Sequence, residues 1–222
     1  MTAGRTDKTG AGRFGLVTGG ARSGKSSFAE RLMRQWMAER KRAGLAGERI
    51  VYVATAQALD EEMAERIRRH REQRPPEWET IEAPVTLFAT LESLAGRPHP
   101  PDGVLVDCVT LYWSNRLLQL FREEELADGT AEAVLYERLP TLERELDREL
   151  DAFARLLSVM PFDLIIVTNE VGWGLVPPNA LGRAYRDLAG RAGQHLAALA
   201  RDVYLVVAGI PVPIKTAQPY ER

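Results

Sequence analysis

Gly19-Gly20-Ala21-Arg22-Ser23-Gly24-Lys25-Ser26 is the stretch that decides how this chain is read. It satisfies the pattern of a glycine, any four residues, then Gly-Lys-Ser without a mismatch. Its flanks agree. Arg13 to Thr18 is a short apolar run that reads as a buried strand. From Ser27 to Arg42 the residues Phe28, Leu32, Met33 and Trp36 recur at helical spacing. The loop therefore falls at a strand-to-helix turn. Glycines there let backbone N–H groups close around a phosphate, and the new helix adds the positive end of its dipole. The loop and the residue after it, Gly20, Ala21, Arg22, Ser23, Gly24, Lys25, Ser26 and Ser27, are the candidate nucleotide contacts. Lys25 reaches the terminal phosphates and Ser26 holds Mg²⁺. The stretch predicts binding of a nucleoside triphosphate.

Downstream, strand and helix patterns alternate. Ile50 to Ala54 reads as the second strand, and Thr55-Ala56-Gln57 follows at its carboxyl end, where open α/β sheets bind ligands. Asp60 is the expected N-cap of a helix running to about Glu72, with Glu61 and Glu62 in its first turn. Trp78 to Ile81 suggests a short edge strand, and a helix is expected from Pro84 through Leu94. Val104 to Cys108 is an apolar strand bearing Asp107 at its end, the position expected for a carboxylate on Mg²⁺.

A helix over Thr110 to Glu125 should point Leu111, Leu117, Leu118 and Phe121 inward. The chain then reads as a long amphipathic helix to Met160, interrupted or capped near Pro140. Its face of Leu142, Leu146, Leu150 and Phe153 fits either the core or a partner. Asp163 to Val167 is a further strand, ending in Thr168 to Pro178, a Gly/Trp/Pro loop placed as a substrate loop or lid. The helix Asn179 to Ala200 carries Arg183, Arg186, Asp187 and Arg191; phosphate binding and surface pairing, such as Arg183 with Asp187, are both open. Val203 to Ala208 is the last expected strand, before a Pro-rich tail through Pro211 and Pro213. The order predicts an α/β fold of the P-loop NTPase (RecA-like) type, three layers with a mainly parallel sheet. A disordered tail over 1–12 precedes a single domain over 13–222.

The chain has 222 residues, 45% hydrophobic and 27% charged, with a net charge of −2. That balance gives no basic footprint for nucleic acid. No apolar run approaches the ~20 residues needed to span a bilayer. The polar, basic start lacks the apolar core of a signal peptide. A single cysteine, Cys108, reads as a small buried hydrophobe and suits a reducing cytoplasm. His99 and His195 read as structural.

Within the nucleotide-binding class, a GTPase usually carries Asn-Lys-x-Asp, which is absent here. Motor ATPases place a Glu after the metal-side Asp, where this chain has Cys108. A small-molecule kinase remains, since phosphoryl transfer needs only positioning, Mg²⁺ and charge compensation. A monofunctional metabolite kinase would need Lys25, Ser26 and Asp107 but not His70. A nucleotide-binding regulatory protein would bind without turnover.

Thr18 to Ser26 resembles the bifunctional adenosylcobinamide kinase/adenosylcobinamide-phosphate guanylyltransferase family of cobalamin synthesis. Ala54-Thr55-Ala56-Gln57 through Asp60-Glu61-Glu62-Met63, Arg66-Ile67 through His70-Arg71 to Arg74-Pro75, and Thr168-Asn169-Glu170-Val171-Gly172 agree. So do Arg186 to Arg191 and Val206 to Pro211. The resemblance runs in order over about residues 14–215. Pro178 stands where a Glu is expected, Gly193 where an Asn is expected, and the N-terminal tail is extra.

The resemblance implies two reactions. ATP or GTP phosphorylates the terminal hydroxyl of the corrinoid's aminopropanol arm. GMP then passes from GTP to that phosphate through a guanylyl-histidine, for which His70 holds the matching position. A neutral imidazole is a competent nucleophile, and nearby arginines disfavour its protonation. On its own, a lone helical histidine reads as structural. The resemblance further implies that Thr55, Ala56, Gln57, Arg71, Glu72, Gln73, Arg74 and Glu82 line the GTP site, with Glu82 reading the guanine. Asp107 serves Mg²⁺, and the assembly is a homotrimer.

Overall fold

A computed structural model describes residues 12–45, 48–58, 61–73, 75–122, 124–125 and 130–216. Seven strands form one sheet: β1 (Phe14–Thr18), β2 (Ile50–Ala54), β3 (Glu79–Glu82), β4 (Gly103–Asp107), β5 (Asp163–Val167), β6 (Asp202–Val207) and β7 (Ile210–Lys215). Among the described residues the helices with given bounds are α1 (Lys25–Arg42), α2 (Glu61–Gln73), α3 (Leu87–Ala95), α4 (Val109–Leu118), α5 (Ala131–Leu157) and α6 (Ala180–Leu199). The strand order is β3-β2-β4-β5-β1-β6-β7. Every pairing is parallel except β6 with β7. β5 is inserted between β1, which leads into the glycine loop, and β4, which ends in Asp107. This is the expected RecA-like arrangement.

Strand residues alternate between two cores because successive side chains leave opposite faces of a strand. Leu105, Ile165, Val167, Tyr52 and Ala54 pack with Leu32, Met33, Trp36 and Met37 of α1. Val104, Val106, Leu164, Ile166, Val51 and Val53 pack with α3 to α6 on the other side. Strands buried on both faces must be apolar throughout, which is why β2, β4 and β5 read as continuous hydrophobic runs. Of the two readings of α5, the core one holds: Leu142, Leu146, Leu150 and Phe153 are all buried.

The sheet's amino-terminal end is closed by charge. Asp163, nearly inaccessible, accepts from Arg13 Nη2 at 2.8 Å and from the Arg13 backbone N–H at 2.8 Å. Arg13 also lies over the Trp36 ring, 4.5 Å from its centroid. The carboxyl end, by contrast, opens into loops, and it carries the candidate site.

Three expectations are corrected. The Pro-rich tail is not a tail: Ile210–Lys215 forms an edge strand antiparallel to β6. An edge position tolerates Pro211 and Pro213 because an edge strand can turn its missing N–H groups outward. Helix α5 runs unbroken through Pro140. That residue is exposed, so the carbonyl left without a partner by the missing N–H faces solvent, and flanking packing offsets the cost of roughly 3 kcal/mol. Helix α4 ends at Leu118 rather than near Glu125. Of the residues expected inward, Leu117 is buried and Leu111 and Phe121 pack part-buried against the cores, Leu118 does not, and Tyr112 and Trp113 add the largest buried rings. The expected Asp60 cap and residues 1–11 of the tail expected over 1–12 lie outside the described residues, while the Gly12 N–H donates to Met160 O at 2.7 Å. No helix among those described is long and apolar enough to cross a membrane.

The larger core depends on an aromatic cluster. Phe153 meets Phe14 edge-on at 5.4 Å and Phe88 at 5.3 Å. Replacing this buried ring by alanine should cost about 3–5 kcal/mol. Urea unfolding of Phe153→Ala checks this, and a loss below about 1 kcal/mol would contradict the packing described.

Candidate nucleotide-binding site

The turn from β1 into α1 is built around two glycines with positive φ. Gly19 lies at φ 153°, and a Cβ there would stand 2.4 Å from the Val206 carbonyl oxygen. Gly24, at φ 91°, precedes the first residue of α1. The loop is held from both sides. The Glu170 N–H donates to Gly19 O at 3.0 Å from the end of β5, and the Gly209 N–H donates to Ser23 O at 2.8 Å from the β6–β7 turn. Lys25 is buried and its Nζ donates to Gly20 O at 2.6 Å, folding over the loop. Ser23 Oγ is buried with no hydrogen-bond partner among the described residues. A buried hydroxyl in that state is costly. A phosphate oxygen in the cradle would satisfy it.

Across the carboxyl edge the register aligns Glu82 with Ala54, Ala54 with Asp107, Asp107 with Val167, and Val167 with Val17. The sheet thus carries Glu82 and Asp107 on either side of β2 and places the glycine loop two strands beyond Asp107. Asp107 accepts from the Tyr52 hydroxyl at 2.8 Å through Oδ2, which fixes the carboxylate's orientation. Behind it, the Thr55 hydroxyl donates to Cys108 O at 2.6 Å and accepts from the Cys108 N–H at 3.0 Å. Thr55 is wholly buried, so its hydroxyl serves the backbone of the acid strand. Ala56 and Gln57 are partly exposed beyond it.

On the far side of β2, Arg71 of α2 forms an ion pair with Glu82 at the end of β3. Two sequence-predicted residues eleven positions apart therefore meet. Glu72 pairs instead with Arg68 on its own helix. His70 and Gln73 belong to α2, and Arg74 lies outside the described residues.

The loop after β5 is braced by α6. Arg186 donates to Gly172 O at 2.7 Å and Gly174 O at 3.3 Å, while Arg183 donates to Pro177 O at 3.2 Å and Pro178 O at 2.7 Å. Arg191 pairs with Glu143 and Asp147 of α5. Of the alternatives open for these arginines, Arg191 takes surface pairing; Arg183 and Arg186 take a third role, holding loop carbonyls. Trp173, Leu175 and Val176 remain strongly exposed on this braced loop.

The hard oxygen donors suited to Mg²⁺ are the Ser26 hydroxyl and the Asp107 carboxylate. Among the described residues no group of three or more His, Cys, Asp or Glu could enclose a metal. Sequence reasoning missed Tyr52, Thr110 and Asn115. Each lies inside an apolar run or helix, and only the unusual presence of a polar group at an inward position marks it.

A strand-loop-helix cradle with a buried lysine, an acid on the strand beyond the one next to it and an open carboxyl edge defines a P-loop nucleotide-using protein. The chain matches the family model "Cobinamide kinase / cobinamide phosphate guanyltransferase" over residues 15–214. It is 39% identical over 201 residues to the bifunctional adenosylcobalamin biosynthesis protein CobU of Salmonella typhimurium, covering 90% of this chain and 98% of that one. CobP of Pseudomonas aeruginosa is 41% identical over 202 residues, covering 90% and 96%. CobU of Escherichia coli is 38% identical over 200 residues, covering 90% and 98%. The chain belongs to this family of bifunctional kinase/guanylyltransferase enzymes.

Cys108, at the end of the acid strand, is buried. Burial and then the nearby Asp107 charge push its thiol up to about 11. Its folded pKa lies above the unfolded value of 9.0. The stability it contributes is therefore complete below about pH 9 and is lost as pH rises towards about 11. At pH 8 the native protein should resist a thiol-reactive dye, with one equivalent labelled on unfolding. Fast native labelling would contradict the buried placement.

Proposed function

We propose that this chain phosphorylates cobinamide and then guanylylates the product, with the phosphate-loop end and the Glu82 end of one sheet edge serving the nucleotide. In the first step the hydroxyl oxygen of the corrinoid arm attacks the γ-phosphorus of ATP or GTP. The nucleoside diphosphate leaves and the hydroxyl proton is released. Lys25 and the loop N–H groups hold the phosphates, and Ser26 and Asp107 would hold Mg²⁺. That ion, when bound, offsets charge on the triphosphate.

In the second step a neutral His70 ring nitrogen attacks the α-phosphorus of GTP and pyrophosphate leaves. A phosphate oxygen of the phosphorylated corrinoid then displaces His70 and takes the GMP. The single observation that carries this reading is the Arg71–Glu82 pair. It joins the residue next to His70 to the strand end proposed to read guanine. A carboxylate can accept from the base's N–H groups, and an arginine beside it suits an anionic nucleotide. Thr55, Ala56 and Gln57 form the opposite wall.

The homotrimer belongs to the same proposal. An exposed apolar row on the β6–β7 edge, Val207, Ile210, Val212 and Ile214, supports burial against another copy. A cytoplasmic setting fits a lone reduced cysteine.

The test uses Mg²⁺ and GTP labelled at the α-phosphate, followed by denaturation, for the parent and His70→Ala. Label on the parent that is lost in acid and stable in alkali, with none on the variant, is expected. No label on either while cobinamide is still phosphorylated would reduce the proposal to a kinase, and equal labelling of both would remove His70 as the nucleophile.

A further inference from the structure

Helix α4 leaves the acid strand at Cys108 and buries Tyr112, Trp113 and Leu117. Among these sits Asn115, only 5% exposed. A carboxamide in an apolar setting is unfavourable unless its N–H groups are bonded. Asn115 Nδ2 donates to Thr55 O at 2.8 Å and to Pro84 O at 2.9 Å. These acceptors belong to different segments. Thr55 opens the stretch after β2, and Pro84 lies two residues beyond Glu82 after β3. The last rung between those strands is the Ala83 N–H donating to Ala54 O at 2.8 Å. Past that rung, Asn115 bridges the place where β2 and β3 diverge.

The two donors of a carboxamide lie in one plane at a fixed angle, so they hold two carbonyls at one separation. Hydrogen bonds weaken steeply once distance or angle departs from ideal. Filling the space alone would require only an apolar side chain of similar volume. We infer that Asn115 is a positioning residue for the guanine nucleotide: it sets the gap between the Thr55–Gln57 wall and the Glu82 wall. This rests on the reading of those segments as the GTP site. The phosphate loop lies across β4 and β5 from this clasp, and Thr110 of the same helix braces that side separately, its Oγ1 accepting from the Asn169 N–H at 2.8 Å.

The experiment compares the parent, Asn115→Asp and Asn115→Ser in two assays. One is guanylyl transfer with varied GTP; the other is cobinamide phosphorylation with ATP. The aspartate variant keeps the shape and replaces both donors with acceptors; the serine variant keeps one hydroxyl donor. The inference expects KM for GTP to rise about tenfold or more in Asn115→Asp, with kcat within about twofold, and less in Asn115→Ser. Phosphorylation from ATP should stay within about twofold of the parent in both. An unchanged KM for GTP would overturn it, as would both activities falling together, the mark of a merely structural role. If the aspartate variant does not fold, the serine variant is judged by the same KM criterion. GTP binding is followed alongside by thermal stabilisation. A parent that binds GTP yet forms no transfer product would sink the functional proposal, and the clasp would then stand or fall on the GTP affinity of the variants.

Discussion

The turn from β1 into α1 is the constraint on which the site depends. It must reverse the chain within a few residues, keep its N–H groups inward and still dock against neighbouring backbone. The Gly19 backbone approaches Val206 too closely for any side chain. The loop is bonded on one side to the exit of β5 and on the other to the β6–β7 turn. The shape of the turn is therefore set by the sheet as a whole. The strand order that brings β5 and β6 to flank β1 also holds the cradle open. The buried Ser23 hydroxyl, without a partner among the described residues, and the lysine folded onto Gly20 O lie together in this loop.

The same edge divides chemistry from recognition. Asp107, aimed by Tyr52, stands between the loop and the Glu82 end. Helix α4 begins directly behind it and reaches the exits of β2, β3 and β5 through Thr110, Asn115 and the Cys108 backbone. One short helix thus ties the segments proposed for two reactions to a common frame. That is an economical way for a single sheet edge to serve two successive transfers.

Much of this was legible in the sequence because the signals were local. The glycine loop, its strand and its helix are contiguous. The buried strands announce themselves as apolar runs, and Leu142, Leu146, Leu150 and Phe153 mark the inner face of α5. What could not be read depends on partners far along the chain. Tyr52 finds Asp107 across 55 positions, and Asn115 finds Thr55 across 60. A polar residue within an apolar pattern says that a partner exists without saying where. β7 was hidden for another reason: proline argues against a strand locally, and only its edge position removes the objection. The inward side of α4 was read only in part, because leucines were given priority over Tyr112 and Trp113, whose larger rings fill the space beside Phe88.

The central claim is that the Gly19–Ser26 turn receives the triphosphate. The most direct measurement is a structure of the protein with Mg²⁺ and a non-hydrolysable GTP analogue. The account predicts that Lys25 Nζ leaves Gly20 O for the terminal phosphates, with the base reaching towards Glu82. Density for the nucleotide elsewhere, with Lys25 still bonded to Gly20 O, would contradict it.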